Sequence, residues 1–136
     1  MTALRALVIA CVAAWLGVMA FFSFAVAPLV FREIDRPTAG AVVALVLPRY
    51  YLWGVVLCAI ALAALLVLVA RSAGSRWRHG AAATLCAAML AMLGWMAAVG
   101  LSRADAARRA RDDSGFAAAH RQAVRLNALT LAAGVL

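Results

Sequence analysis

Long apolar stretches separated by short polar ones set the pattern of this chain. The first stretch runs from about Leu4 to Ala27 and is expected to end as a helix near Pro28, because the residue before a proline is pushed out of the helical region. A polar segment follows, Phe31-Arg32-Glu33-Ile34-Asp35-Arg36, in which two Arg and two acids nearly cancel. Pro37-Thr38 then reads as a helix start. Apolar residues 39–47 meet Pro48-Arg49-Tyr50-Tyr51, and Leu52 to Ala70 is apolar again. One straight helix over 39–70 would exceed roughly 40 Å at 1.5 Å per residue, longer than the hydrocarbon layer is thick. The pattern therefore predicts a short helix over about 38–47, a break at Pro48 and a second span over about 50–70. Tyr50, Tyr51 and Trp53 would then form an interfacial aromatic belt.

Residues 71–80 read as a polar turn, and a third span is expected over about 81–101. Ser102 to Ser114 is rich in Arg and Asp and suggests an exposed helix or loop. A fourth span is expected over about 116–136, although His120, Arg121, Gln122, Arg125 and Asn127 interrupt its first half. The expected fold is all-α: one integral membrane domain, 1–136, built as a bundle of four transmembrane helices.

Composition supports that class. Of 136 residues, 68% are hydrophobic and 13% are charged, whereas a soluble domain carries roughly 25% charged residues. So little polar surface could not cover a core in water; the bilayer acts as solvent for the apolar faces instead. The net charge of +8 comes from thirteen Arg against five acids. These Arg sit mainly between the apolar stretches, which points to headgroups and topology rather than to nucleic acid. The expected partner is the lipid bilayer, with a homo-oligomer or a larger membrane complex as further options. Arg32, Arg36, Arg103, Arg108, Arg109, Arg111 and Arg121 flank the first and third connections; Arg5, Arg71, Arg76 and Arg78 flank the N-terminus and the second. The positive-inside rule then favours both termini on the non-cytoplasmic side, in a bacterial inner membrane. Ala25-Val26-Ala27 imitates a signal-peptide cleavage site. The apolar run before it exceeds the usual h-region of about 7–15 residues, and Pro28 follows directly, so a retained span is expected.

Candidate chemistry is sparse. Cys11, Cys58 and Cys86 all lie in apolar runs without zinc-site spacing, and read as small hydrophobes. Ala83, Ala87 and Ala91, with Gly94 and Ala98, form small-xxx-small patterns suited to close helix packing. Ionisable groups at membrane depth are costly, and are usually paired or functional. Arg49 beside Pro48 is one such group. His120, Val124 and Asn127, at i, i+4 and i+7, share one helix face. A break at Pro48 would free backbone groups to line a polar pocket. Candidate ligand-binding residues are therefore Arg32, Arg49, Tyr50, Tyr51, His120 and Asn127; the plainer reading is that Arg49 and Arg125 snorkel to headgroups, with His120 at the interface. Cys86, Met89, Met92 and Met96 form a sulfur stripe along the third span. Cys86, Met89 and Met96 could meet a soft metal, with Cys58 or Met19 supplying a further ligand, though Met is also a common core filler. No phosphate loop, nucleophile–base pair or paired carboxylates stand out, so no cofactor is implied and a non-enzymatic role is favoured.

The segments Pro28-Leu29-Val30-Phe31, Arg36-Pro37-Thr38-Ala39-Gly40 and Leu47-Pro48-Arg49-Tyr50-Tyr51 resemble the signature of a family of small four-span membrane proteins. These are the bacterial relatives of eukaryotic transmembrane protein 205, carrying a domain of unknown function (number 4149). Phe116, His120, Leu126 and Asn127 are similar to its late motif. The resemblance implies four spans and a membrane location. The link of eukaryotic members with platinum-drug resistance further implies a soft-metal or export role. Three functions remain open: a protein with a ligand or solute site between Pro48 and the His120 face, an accessory subunit or homo-oligomer acting by helix packing, and a small haem or quinone redox protein.

Overall fold

Lipid offers no partner to a backbone N–H or C=O, so an apolar chain must satisfy both within its own helices. The computed structural model, which describes residues 2–71 and 74–135, does so almost throughout. Helix α1 (Thr2–Phe21), a π-helical turn (Phe22–Val26) and α2 (Ala27–Glu33) form one 32-residue rod. Helix α3 (Arg36–Arg71) is a second rod of 36 residues. Helix α4 (Arg76–Trp95), a second π turn (Met96–Gly100) and α5 (Leu101–Arg109) make a third, of 34 residues. Helix α6 (Asp113–Val135) closes the described chain. The three rods are long and apolar enough to cross a membrane. The polar first half of α6 keeps it out of that set.

Proline did not act as the dipeptide rule suggests. At Pro28 the preceding turn widens, with the Ala27 N–H donating to the Phe22 carbonyl five residues back. Pro28 thereby enters the first turn of α2, where its missing N–H costs little. At Pro48 there is no break: α3 continues through it, short of one ladder hydrogen bond. A proline removes one ladder hydrogen bond and crowds one carbonyl, and apolar residues on both sides leave the chain nothing better than to continue as helix. The expected short helix over 38–47 is thus the first third of α3. The third span likewise extends to Arg109, so Ser102–Arg109 is helical rather than looped. Part of the expected 71–80 turn is also helix, since α4 starts at Arg76; Ser72 and Ala73 in that turn, and Leu136 at the end of the expected fourth span, lie outside the described residues.

Local chemistry sets the turns. The Thr38 N–H donates to Asp35 Oδ2 at 3.1 Å, capping α3. The Gly115 N–H and the Ser114 hydroxyl both donate to Asp112 Oδ1, at 2.9 and 2.7 Å, capping α6. Backbone N–H donation holds both carboxyls below the usual carboxylate range. Arg111 takes a left-handed φ of 54° between α5 and α6.

In the packing, α3 lies between α1 and α4, while α6 rests on α4 and α5 and touches α1 more lightly. The face that α4 turns inward is Ala83, Cys86, Met89 and Leu93, continued by Met96 and Gly100. Ala87, Ala91 and Ala98 face outward, so of the small residues expected to mediate packing only Ala83 is buried. Helix α1 approaches α3 closely at Gly54, where a Cβ would sit 2.7 Å from the ring of fully buried Trp15.

Candidate functional site

An aromatic knot ties α1 to α3. Tyr50 lies 4.9 Å from Trp15, 5.0 Å from Phe22 and 5.1 Å from Tyr51, centroid to centroid. Tyr50 and Tyr51 are buried, and only Trp53 of the expected belt is exposed. The sequence reading of a belt fails because an amphipathic ring suits a crowded helix crossing as well as it suits a membrane surface.

Beside this knot the helices splay, leaving a cleft of about 790 Å³ at the end of the bundle that carries the α2–α3 and α5–α6 turns. Three of its walls come from irregular pieces of helix. Phe22 and Ser23 project from the first π turn, Pro48 and Tyr51 from the proline segment of α3, and Met96 and Gly100 from the second π turn. Helix α6 completes the wall with His120, Val124 and Asn127, the three residues that share one face. A π turn shifts the register of everything after it by about 100°, which is what swings Ala27 and Phe31 on one side and Leu101 and Asp105 on the other towards the cleft. Glycine at position 100 leaves room for the Met96 side chain, whose sulfur would lie 2.7 Å from an added Cβ.

The polar groups are sorted by depth. Tyr51, Ser23 and Asn127 lie among apolar walls, whereas Ser102, Asp105, Arg108 and His120 lie near the turns. Asp105 is paired with Arg108 at 2.7 Å and Arg109 at 2.8 Å. Ser102 donates its hydroxyl to the Ala98 carbonyl at 3.1 Å, within the second π turn.

Of the residues singled out from sequence, Tyr51, His120 and Asn127 line this cleft, and Arg32, Arg49 and Tyr50 do not. Arg32 is exposed and paired with Glu33 at 2.8 Å. Arg49 is exposed on the outer face of α3, between exposed Leu45, Val46, Leu52 and Trp53. Tyr50 stands behind the wall, its hydroxyl buried without a partner among the described residues, as is the Trp15 indole N–H. Sequence reasoning missed Ser23, Ser102, Asp105 and Arg108. The i, i+3 and i, i+4 spacing of Asp105 with Arg108 and Arg109 was a helix signal that could have placed Asp105 and Arg108; Ser23 and Ser102 carried none.

The sulfur residues lie mainly in the core, Met96 alone of those buried there also reaching the cleft. Cys86, Met89 and Met96 are buried together with Cys11, Met19 and Cys58. The Cys86 thiol donates to the Cys58 carbonyl at 3.3 Å. Among the described residues no three His, Cys, Asp or Glu side chains converge as a metal site.

Comparison with known proteins adds a family and a relative. The family model described as "Domain of unknown function (DUF4149)" matches residues 10–113. That stretch holds the second and third rods whole and the first from residue 10 on; it ends at Asp113, the first residue of α6, so Phe116, His120, Leu126 and Asn127 lie beyond it. An uncharacterized protein of Aquifex aeolicus (strain VF5) is 45% identical over 56 residues, which is 41% of this chain and 42% of the relative. The shared stretch thus spans less than half of that relative. No solved structure matches the chain.

Proposed function

The chain belongs to the family defined by the domain of unknown function DUF4149, and from that premise we propose that it is a non-enzymatic membrane protein that binds or translocates a small molecule in the cleft between the Pro48 segment and the His120 face. One observation carries this reading. Three departures from regular α-helix, two π turns and an internal proline, border the same cavity. Such irregularities weaken a helix and cluster at functional sites; packing alone would be served better by regular rods. A cavity of about 790 Å³ also falls within the ordinary range for small-molecule sites.

The test is native mass spectrometry of the protein released from nanodiscs, wild type against Tyr51→Phe with Asn127→Leu. A small non-protein mass retained by the wild type and depleted in the variant is the expected result. Identical spectra without any added mass would remove the ligand reading.

The proposal includes α6 as a fourth span, both termini on the non-cytoplasmic side of a bacterial inner membrane, and kinship with eukaryotic transmembrane protein 205 through the motifs around Pro28, Gly40, Pro48 and His120. A second reading, soft-metal binding or export, is favoured by the buried sulfur cluster. Cu(I) or Ag(I) titration of the wild type against Met89→Leu with Met96→Leu, a swap of similar volume, separates it from packing. Negligible binding in both is expected. Stoichiometric binding lost in the variant would establish the metal.

A further inference from the structure

We infer that the cleft takes an amphiphile from the bilayer, which enters sideways between the first π turn and α6 and leaves its polar end at the Arg108–His120 mouth. This deepens the ligand reading of the cleft and rests on it. A second groove of about 310 Å³ runs between α1 and α6, from Met19 to Leu131, and shares Ser23, Val124 and Asn127 with the cleft. The two spaces meet at those residues. Among the described residues, neither the first π turn nor α2 packs against α6, so the seam opens without unmaking a helix contact. Its outer lips are Phe24, 76% exposed, and Val124, 53% exposed, surfaces that suit hydrocarbon rather than water. The remaining sides of the bundle are closed by α1 on α3, α3 on α4 and α4 on α6.

The polarity of the walls selects the ligand. Past the mouth they are mainly Phe22, Val43, Leu47, Met96 and Leu101. A many-hydroxyl solute would lose its hydration there without gaining enough hydrogen bonds, whereas a hydrocarbon chain needs none. At the mouth, Asp105, Arg108 and His120 offer both donors and acceptors, which suits a head carrying either or both signs of charge. Ser23 and Asn127 stand where a head group must pass, and give it hydrogen bonds on the way.

Photolabelling in phosphatidylcholine nanodiscs tests this, with a diazirine lysophosphatidylcholine and a diazirine sugar as the two probes. The expected result is lysolipid adducts on residues 43–47, competed by unlabelled lysolipid. Val124→Trp should cut those adducts severalfold, and Phe24→Ala should raise them. Labelling at Ile60 on the outer face of α3 should stay unchanged in both variants. Cleft labelling by the sugar but not the lysolipid would overturn the amphiphile and leave the ligand site standing. No competed cleft labelling by either probe, above the level at Ile60, would overturn both. Labelling by the lysolipid that neither variant alters would overturn the sideways route.

Discussion

Gly54 shows what a single side chain decides in this bundle. An alanine there would bring its Cβ within 2.7 Å of Trp15 Cη2 and Cζ2. That indole is fully buried, and Tyr50 stands 4.9 Å from it, so it has nowhere to swing. Gly→Ala inside a helix is ordinarily favourable by about 1 kcal/mol; overpacking costs about 1–3 kcal/mol. The clash should therefore win, and Gly54→Ala should lower the melting temperature in detergent. Trp15→Phe in the same chain should recover part of the loss, a coupling that a simple propensity effect would not give. A higher melting temperature for Gly54→Ala alone would show that α1 and α3 do not meet this closely. Neither partner announces the contact in sequence. Position 54 reads as one more small residue in an apolar run, and its neighbour lies 39 positions earlier. The same blindness misplaced Tyr50 and Tyr51, because burial of an amphipathic ring depends on what crosses it.

Helix elements were legible where they rest on hydropathy and misread where they rest on proline. The apolar runs from Leu4, Leu52 and Ala81 fall inside the three rods, and the Asp35 and Asp112 caps sit at the polar breaks. The π turns had no signature to read: Phe22–Val26 and Met96–Gly100 are composed like the helix around them. Pro48 did carry a signal, but its effect depends on whether the chain has an alternative to helix, and in an apolar run it has none. It follows that Pro48→Ala should keep the helical content and leave the protein as stable or more so, because the substitution restores an N–H to the ladder. Circular dichroism and a melting curve in detergent check this. A large loss of stability would mean that α3 needs the proline locally, as a true break would.

At the scale of the whole molecule, α6 reports on depth. The rods exceed 30 residues, about 50 Å at 1.5 Å per residue, against a hydrocarbon layer of about 30 Å. Gly134 near the end of α6 packs against Leu16 and Met89, which lie near the middles of the first and third rods. Thr130 is buried one turn earlier, its hydroxyl donating to the Leu126 carbonyl at 2.8 Å. The described part of α6 therefore enters from the Arg-rich end and reaches the bundle centre. Arg49 lies 13 residues into α3, about 20 Å from the same end, on a face flanked by Leu45 and Trp53. Its side chain leans towards the helix N-terminus, hence back towards that end, where it can reach phosphates. Two copies meeting through this face about a two-fold axis would set Arg49 against Arg49, so a dimer should use another surface. The seven Arg around the α2–α3 and α5–α6 turns argue that this end is cytoplasmic, since the opposite end has only Arg5, Arg71, Arg76 and Arg78. Cysteine labelling decides the point, because Cys11, Cys58 and Cys86 are buried and silent to an impermeant maleimide. Trp77→Cys, at an exposed site near the start of α4, should react from outside intact cells, and Ser114→Cys, at the α5–α6 turn, only in inverted vesicles. The reverse pattern would turn the molecule over. An alkaline phosphatase fused at position 136 should be active, the outcome that α6 as a fourth span requires; an inactive fusion would overturn that span.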